Sequence, residues 1–221
     1  FAHVLSPTYP IHRDMTLNIP GERVYFAEIH QMANFNTDVY YEFLNLGYKL
    51  TTAAGSDVPW GGTIGESRMY AFAGKGPFSA DAWFEAVRRG RTFVTDGPIL
   101  ELEVEGALPG DELTIDRNRA VHVKARLRTD PTRGGAGVLE LIGHGKVLQS
   151  EKAFPGKHEV TLDFSISVKG GLWLAAKGTG VDGSVAHTTP VYITRRGFRF
   201  WKFDAIEELV ARRIKSLEEI E

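Results

Sequence analysis

The 221-residue sequence contains no cysteine. This absence excludes disulfide bonds, cysteine nucleophiles and thiolate metal sites, and it leaves the cellular compartment undecided. No apolar run approaches the ~18–20 residues that a membrane-spanning helix needs. Residues 1–5 also lack the basic start and the apolar core of a signal peptide. We therefore expect a soluble chain with no membrane partner.

The sequence also lacks an excess of charge of either sign. It has 26 basic and 28 acidic residues, which gives a formal net charge of −2. Nucleic acids and anionic membrane surfaces attract strongly basic chains, so neither is an expected partner. Hydrophobic residues make up 43% of the chain, which is typical of a globular protein with one large domain or two small ones.

Several self-contained catalytic motifs are missing as well. None of the seven histidines belongs to an HxH, HExxH or HxxxH pair, and no GxSxG nucleophile motif is present. The glycines near residue 62 lack the lysine of a phosphate-binding loop. Any catalytic site must therefore be assembled from residues that are distant in the sequence.

Three regions with different patterns follow one another. Residues 1–96 alternate predicted strands with predicted helices, which is typical of α/β folds with parallel strands. One of these helices begins after Ser79 and ends at Gly90. Residues 97–195 carry short β-rich runs separated by turn signals, which predict a small antiparallel β-sandwich. Residues 196–221 contain an amphipathic helix that either packs back on the body or joins copies into a homo-oligomer.

Asp57 is the first candidate for chemistry. The stretch TTAAGSDVPWGG, residues 51–62, places this carboxylate just after a predicted buried strand. Either its side chain caps a turn, or it acts as a metal ligand or a general base. His30 also ends a predicted strand, and it could face the same site because ligands bind at the carboxyl ends of parallel strands.

Four segments together resemble a known family. They are VYFAEIHQMANFNTDVYYEFLNLGYKLTTAAGSD, AAGSDVPWGGTIGESRMYAF, DAWFEAVRRGRTFVTDGPILELEVEG and AHTTPVYI. In this order they resemble the carboxy-terminal part of PHP-like metallohydrolases of the CehA/McbA type, which are similar to carbaryl hydrolase. FAH at residues 1–3 resembles the end of a metal-binding strand of that family. The resemblance covers the chain except for its last ~25 residues.

The resemblance implies a fold and a function. The expected fold is the second half of a distorted PHP-type βα barrel, followed by the β-sandwich and the C-terminal helix. The expected function is metal-dependent hydrolysis of an ester, amide, carbamate or phosphoester bond in a small-molecule substrate. The expected cofactor is a divalent metal, namely zinc, manganese or iron. By the resemblance, His3 and Asp57 are metal ligands, and Glu28 and His30 are further candidates.

Three other residues are candidates for contacts with substrate. Trp60 follows Asp57 directly, Arg68 could bind an anionic group, and His187 precedes the last strand of the predicted sandwich. The alternative for Arg68 is a surface position or an ion pair, and His187 could have its role at the domain interface instead of in the site.

Two departures from the family pattern leave another function open. The amino-terminal HxH strand is absent, and Pro59 stands where the family commonly has a histidine. With few ligands left, we expect weak metal binding by this chain alone. The alternative is a non-catalytic module that binds carbohydrate or protein through its β-sandwich. A third alternative is that two copies associate to complete a site.

Overall fold

The computed structural model of the protein describes residues 11–218, with side chains from residue 14 onward. The helices of this part are α1 (Ile11–Asn18), α2 (Asp38–Asn45), α3 (Ala80–Arg88) and α4 (Ile206–Glu218). The strands are β1 (Phe26–Gln31), β2 (Asn34–Phe35), β3 (Thr51–Gly55), β4 (Arg68–Ala71), β5 (Thr92–Thr95), β6 (Ile99–Val104), β7 (Glu112–Ile115), β8 (Arg119–Arg128), β9 (Ala136–Gly143), β10 (Lys146–Lys152), β11 (Glu159–Val168), β12 (Leu172–Gly180), β13 (Val185–Thr188) and β14 (Val191–Arg195).

The first sheet has three strands in the order β2-β1-β3. β1 and β3 are parallel and are connected through α2. Asn36 accepts a hydrogen bond from the backbone N–H of Asp38 at the start of α2. Gly47, with a φ of +94°, follows the end of the helix, where glycine adopts this backbone conformation without steric cost. The expected strand–helix–strand unit is therefore present here.

Two further sheets pack face to face. The eight-stranded sheet runs β10-β9-β12-β13-β5-β4, and β14 pairs with both β12 and β7. The three-stranded sheet runs β11-β8-β6 and is antiparallel throughout. Its strands alternate buried and exposed residues, so that Leu100, Leu102 and Val104 face inward and Glu101 and Glu103 face outward. The inward side chains form one buried hydrophobic cluster between the two sheets.

The prediction of a half βα barrel is wrong. In the described residues before position 97, only β1 and β3 pair in parallel; β4 and β5 are antiparallel and belong to the eight-stranded sheet. β5 is held there by its antiparallel pairing with β13, in which Val94 lies opposite His187. The alternation of strands and helices indicated parallel strands, but this long-range pairing sets the direction of β5. No barrel closes within residues 11–218.

Helix α4 packs against α1 and α2 on the body of the protein. The buried guanidinium of Arg213 lies 2.8 Å from the carboxylate of Glu42 on α2. Arg212 pairs with the same carboxylate. Within residues 11–218, no helix combines the length and the apolar character required to cross a bilayer.

Candidate functional site

The candidate site lies where three strands end side by side. β1 and β3 are parallel, and β5 contacts β3. Near the strand starts, the Thr92 hydroxyl donates to the Thr52 carbonyl at 3.1 Å. At the strand ends, His30 Nε2 lies 3.5 Å from Asp96 Oδ2. These two contacts indicate that β5 runs in the same direction as β3. His30 lies near the carboxyl end of β1, and Asp57 and Asp96 follow the carboxyl ends of β3 and β5. Ligand sites of α/β sheets are found at such strand ends.

His30 is fully buried, and its ring makes no hydrogen bond to the part of the chain that the structure describes. Neither ring nitrogen has a hydrogen-bond partner among the described residues. The 3.5 Å contact with Asp96 is longer than an ordinary hydrogen bond, and Phe35 covers the ring edge-on at 5.9 Å. Leaving a buried polar group unpaired costs about 1–3 kcal/mol. His30 is therefore a position at which a ligand atom from outside the chain would be stabilising.

Asp96 was not predicted as a site residue. Burial opposes its ionisation, but the nearby His30 ring and the backbone N–H of Val185 outweigh burial and lower the pKa of Asp96. The Val185 N–H donates to Oδ1 at 2.6 Å, while Oδ2 faces His30. Its side chain is 15% exposed, so an anionic carboxylate lies beside the buried imidazole at the edge of solvent. Its position directly after the run Thr92–Thr95 was a signal that could have identified it.

Asp57 lies in a loop that other side chains hold in place. The Ser56 hydroxyl donates to the Ser67 carbonyl and accepts from the Gly65 N–H. Asp57 itself has a φ of +53°, an uncommon conformation for aspartate, and its side chain is half-buried. In the part of the chain that the structure describes, its carboxylate makes no hydrogen bond or ion pair. The turn-capping alternative therefore finds no support in this geometry.

Glu28 lies on the other face of the small sheet from His30. Glu28 pairs with Ala53 and His30 with Ala54, because the register shifts between them. Neighbouring residues of a strand point to opposite faces, so the shift separates the two side chains. The Glu28 carboxylate lies over Gly55, where an added Cβ would come within 2.5 Å of Oε1. The side chains of His30 and Glu28 are therefore not placed to bind one ion together.

His187 is buried, and both of its ring nitrogens have partners. Nδ1 lies 2.8 Å from the carbonyl of Thr188 and Nε2 lies 2.7 Å from the Tyr41 hydroxyl. The carbonyl can only accept, so Nδ1 carries the hydrogen and Nε2 accepts from Tyr41. Burial lowers the pKa of His187 to about 3, so this histidine is neutral near pH 7. It links β13 to α2 and has no free nitrogen for a substrate.

The other predicted residues lie outside this corner or in its loops. Trp60 is 84% exposed in the loop after Asp57. Arg68 donates to the carbonyls of Gly65 and Glu66, and its guanidinium lies over the Tyr70 ring at 5.7 Å. These bonds hold the loop and occupy much of the guanidinium. His3 lies outside the described residues.

The described residues contribute only part of a metal site. Across residues 14–218, no three side chains of the His, Asp and Glu types are grouped closely enough to hold a metal ion. His30 and Asp96 form a pair, with Asp57 at the same edge of the strands. Catalytic zinc sites generally have three protein ligands. The pair fits two positions of such a site, and the described residues do not complete it.

A groove is the second candidate site. It has a volume of about 670 Å³, and its lining combines residues of β6, β8 and β11 in the three-stranded sheet with residues of β4 and β5 in the eight-stranded sheet. Its apolar wall contains Tyr70 and Phe93, whose rings stack at 5.1 Å, and Phe72, which is 55% exposed. Its size falls in the range of ligand-binding clefts.

Comparison with known proteins identifies no family. No protein-family model matches the chain, and no curated protein matches it. A CARDB domain from Pyrococcus furiosus is 16% identical, with 44% of this chain and 95% of the domain covered, at a TM-score of 0.30. Superoxide reductase (neelaredoxin) from Ignicoccus hospitalis is 18% identical, with 45% and 81% covered, at 0.28. These scores are too low to carry an argument about fold or function.

Proposed function

We propose that this chain contributes to a metal-dependent hydrolase whose site lies at the carboxyl ends of β1, β3 and β5. The substrate class is a small molecule with an ester, amide, carbamate or phosphoester bond. The proposal draws on the sequence resemblance and on one structural observation, the unpartnered imidazole of His30 beside the carboxylate of Asp96. It does not depend on a barrel fold.

The donor types of this corner suit a divalent cation. Imidazole nitrogen and carboxylate oxygen are common ligands of zinc, manganese and iron. The lowered pKa of Asp96 keeps its carboxylate anionic at neutral pH, and a bound cation would give His30 the partner that it lacks. The pair His30 and Asp96 would hold the metal. Asp57 would become a further ligand if its loop moved toward the pair, because the three side chains are not grouped in the structure.

The metal and the chain would divide the chemistry between them. A bound divalent ion supplies a water of lowered pKa and polarises the bond to be cleaved. Asp57, with no partner for its carboxylate in the described part of the chain, is positioned either as a ligand or to accept a proton at a carboxylate oxygen. Arg68 is occupied by backbone carbonyls, so we assign it to holding the loop.

The proposal is tested by hydrolysis of 4-nitrophenyl acetate and bis(4-nitrophenyl) phosphate with added zinc or manganese. We expect metal-dependent turnover of at least one substrate by the wild type. His30→Ala and Asp57→Ala should each lower it by about 100-fold, an effect typical of lost metal ligands or positioned catalytic groups. The control is His122→Ala, because His122 is half-exposed and pairs with Asp163 on the surface.

Two results would contradict the proposal. One is turnover that is the same in all four proteins, which would place catalysis elsewhere or attribute it to a contaminant. The other is the absence of any metal-dependent turnover in the wild type. Thermal unfolding of each variant, followed by circular dichroism, separates loss of ligands from loss of fold.

The second candidate function is binding without catalysis, and the groove beside β6 favours it. The groove combines an apolar wall with charged side chains of the three-stranded sheet, among them Glu103, Lys124 and Arg126. This mixture is typical of a recognition surface. It is physically separate from His30, so the two functions are independent of each other.

A further inference from the structure

The position of Asp96 is set by residues of the β-sandwich. The Asp96 N–H donates to the Val185 carbonyl at 3.2 Å, and Oδ1 accepts the Val185 N–H at 2.6 Å. The Asp96 carbonyl accepts from Nη1 of Arg133 at 2.8 Å. Oδ2 is the remaining polar atom of Asp96, and it faces His30 at 3.5 Å. The side chain of Asp96 is therefore oriented by residues that follow it by 37 and 89 positions in the sequence.

Arg133 and Val185 are joined to each other through Asp182. Nε of Arg133 donates to Oδ2 of Asp182 at 2.8 Å. Oδ1 of Asp182 accepts from the hydroxyl and the backbone N–H of Ser184, the residue before Val185. The contacts thus close a ring, which leaves Asp96 at its carbonyl and returns to it at its carboxylate. The members of this Asp96 ring are Asp96, Arg133, Asp182, Ser184 and Val185.

The Asp96 ring is packed closely against Gly97. A Cβ added at Gly97 would come within 2.7 Å of the Ser184 hydroxyl and 3.2 Å of Arg133 Nη1. The φ of Gly97 lies outside the left-handed range, so glycine is needed here for space and not for backbone conformation. The Thr95 hydroxyl also accepts the Gly97 N–H at 2.9 Å. The turn that carries Asp96 is thus held both by its own residues and by the ring.

We propose that Arg133 and Asp182 are positioning residues that hold Oδ2 of Asp96 against His30 in the candidate site. Partners that hydrogen-bond to a metal ligand orient it, and their loss typically lowers metal affinity by about 10- to 100-fold. Arg133 and Asp182 act only through the Asp96 ring, so we assign them no contact with a metal or a substrate. The inference rests on the proposed function, and it makes the β-sandwich part of the site.

The affinity for zinc tests this positioning role. Equilibrium dialysis of the whole chain against increasing zinc gives a dissociation constant for the wild type and for each variant. Arg133→Ala and Asp182→Asn should each weaken zinc binding by about tenfold, the lower end of the range for partners of a metal ligand. Arg133→Lys should lie between the wild type and Arg133→Ala, because an ammonium group can retain one of the two bonds of the guanidinium.

Matched variants separate the Asp96 ring from general effects on the fold. Arg119 on β8 also donates to a backbone carbonyl and pairs with a carboxylate, those of Ala120 and Glu105, and Arg119→Ala should leave zinc binding unchanged. Gly97→Ala places a methyl group against the ring and should weaken zinc binding. Gly170→Ala should not, because a Cβ added there meets no atom of the described residues within 4 Å.

A second measurement needs no metal. In the metal-free protein, Arg133→Ala should speed hydrogen exchange of the Val185 amide at least tenfold, because its acceptor on Asp96 is no longer held. The same change should shift the NMR resonances of the His30 ring. The amides of β8 and β11 should keep their rates, and Arg119→Ala should leave the Val185 amide and the His30 ring unchanged. A residue that only stabilised the fold would instead speed exchange throughout the protein.

The outcomes separate this inference from the proposed function. Equal zinc affinity of the wild type and Arg133→Ala would overturn the positioning role and leave the metal site in place. No zinc binding by the wild type would overturn the proposed function. In that case, faster exchange at Val185 with a shifted His30 ring would still support the positioning of Asp96, and unchanged signals would overturn it. Uniformly faster exchange in Arg133→Ala would also overturn it.

Discussion

Two buried histidines show how differently one residue type can be used in this molecule. His187 has a partner on each nitrogen, whereas His30 has none among the described residues. Both are fully buried, so exposure alone does not separate them. The difference in partners separates a structural histidine from a candidate ligand, and it cannot be read from the sequence.

The buried state of His187 predicts a pH dependence of stability. Its pKa is about 3 in the folded protein, against about 6.5 for an unperturbed histidine. Between these values the unfolded chain binds a proton that the folded protein does not, so stability falls as the pH falls. We expect this residue to contribute about 1.4 kcal/mol per pH unit over that window.

Urea unfolding of the wild type and of His187→Gln between pH 4 and 7 measures this contribution. The variant should show a shallower loss of stability with falling pH than the wild type, while His122→Gln, which removes an exposed histidine, should not. Equal slopes for the wild type and His187→Gln would show that His187 is not held neutral by burial.

At the scale of elements, local sequence signals predicted the ends of helices, but they did not predict which strands pair over long range. Ser79 accepts the N–H of Ala82 at the start of α3, and Gly90 follows the helix with a φ of +72°, as the sequence indicates. β5 was not predicted, although the run Thr92–Thr95 is rich in β-branched residues. Its direction and its two neighbours depend on pairing with β13 and β4, which no local pattern encodes.

The packing of helix α4 against α2 depends on one buried ion pair. Arg213 and Glu42 are only 11% and 13% exposed in their side chains. Removing one partner of a buried ion pair leaves the other charge uncompensated, which typically costs 3–5 kcal/mol. We expect Glu42→Gln to lower the free energy of unfolding by about 3 kcal/mol, as measured in urea.

The matched control for this change is Glu85→Gln. Glu85 pairs with Arg89 at 2.8 Å on α3, but both side chains are exposed, so the expected cost is below about 0.5 kcal/mol. A similar small cost for both variants would mean that α4 is held by its apolar contacts alone.

On the scale of the whole molecule, the eight-stranded sheet joins the two regions that the sequence separates at residue 96. β4 and β5 precede this position and β13 follows it. Trp173 of β12 donates to Asn45 at the end of α2 and packs on Tyr41 at 5.1 Å. We therefore predict that the protein unfolds in one cooperative transition, with equal calorimetric and van't Hoff enthalpies.

A fragment of residues 97–195 provides the comparison. It lacks β5, the pairing partner of β13, and exposes Trp173, so we expect a broadened transition at a temperature at least ~10 °C lower. A fragment that melts cooperatively at the temperature of the intact chain would show that the two regions are independent folding units.

The candidate site was only partly predictable from the sequence, because it too depends on long-range pairing of strands. His30 and Asp57 were identified because each lies at or just after the end of a strand that its own residues predict. Asp96 was missed because β5 was missed. Glu28 was a candidate through the resemblance, and the register shift that turns it away from His30 has no local signature in the sequence. The groove beside β6 depends on how two sheets overlap, which neither sheet encodes alone.

The metal content of the purified protein tests the central claim most directly. The wild type, His30→Ala, Asp57→Ala and the control His122→Ala are dialysed to equilibrium against zinc or manganese, and the metal bound in excess of the dialysis buffer is measured. The account predicts saturable binding of metal by the wild type and the control, and little or none by the other two variants. No bound metal in the wild type, or equal amounts in all four proteins, would contradict it.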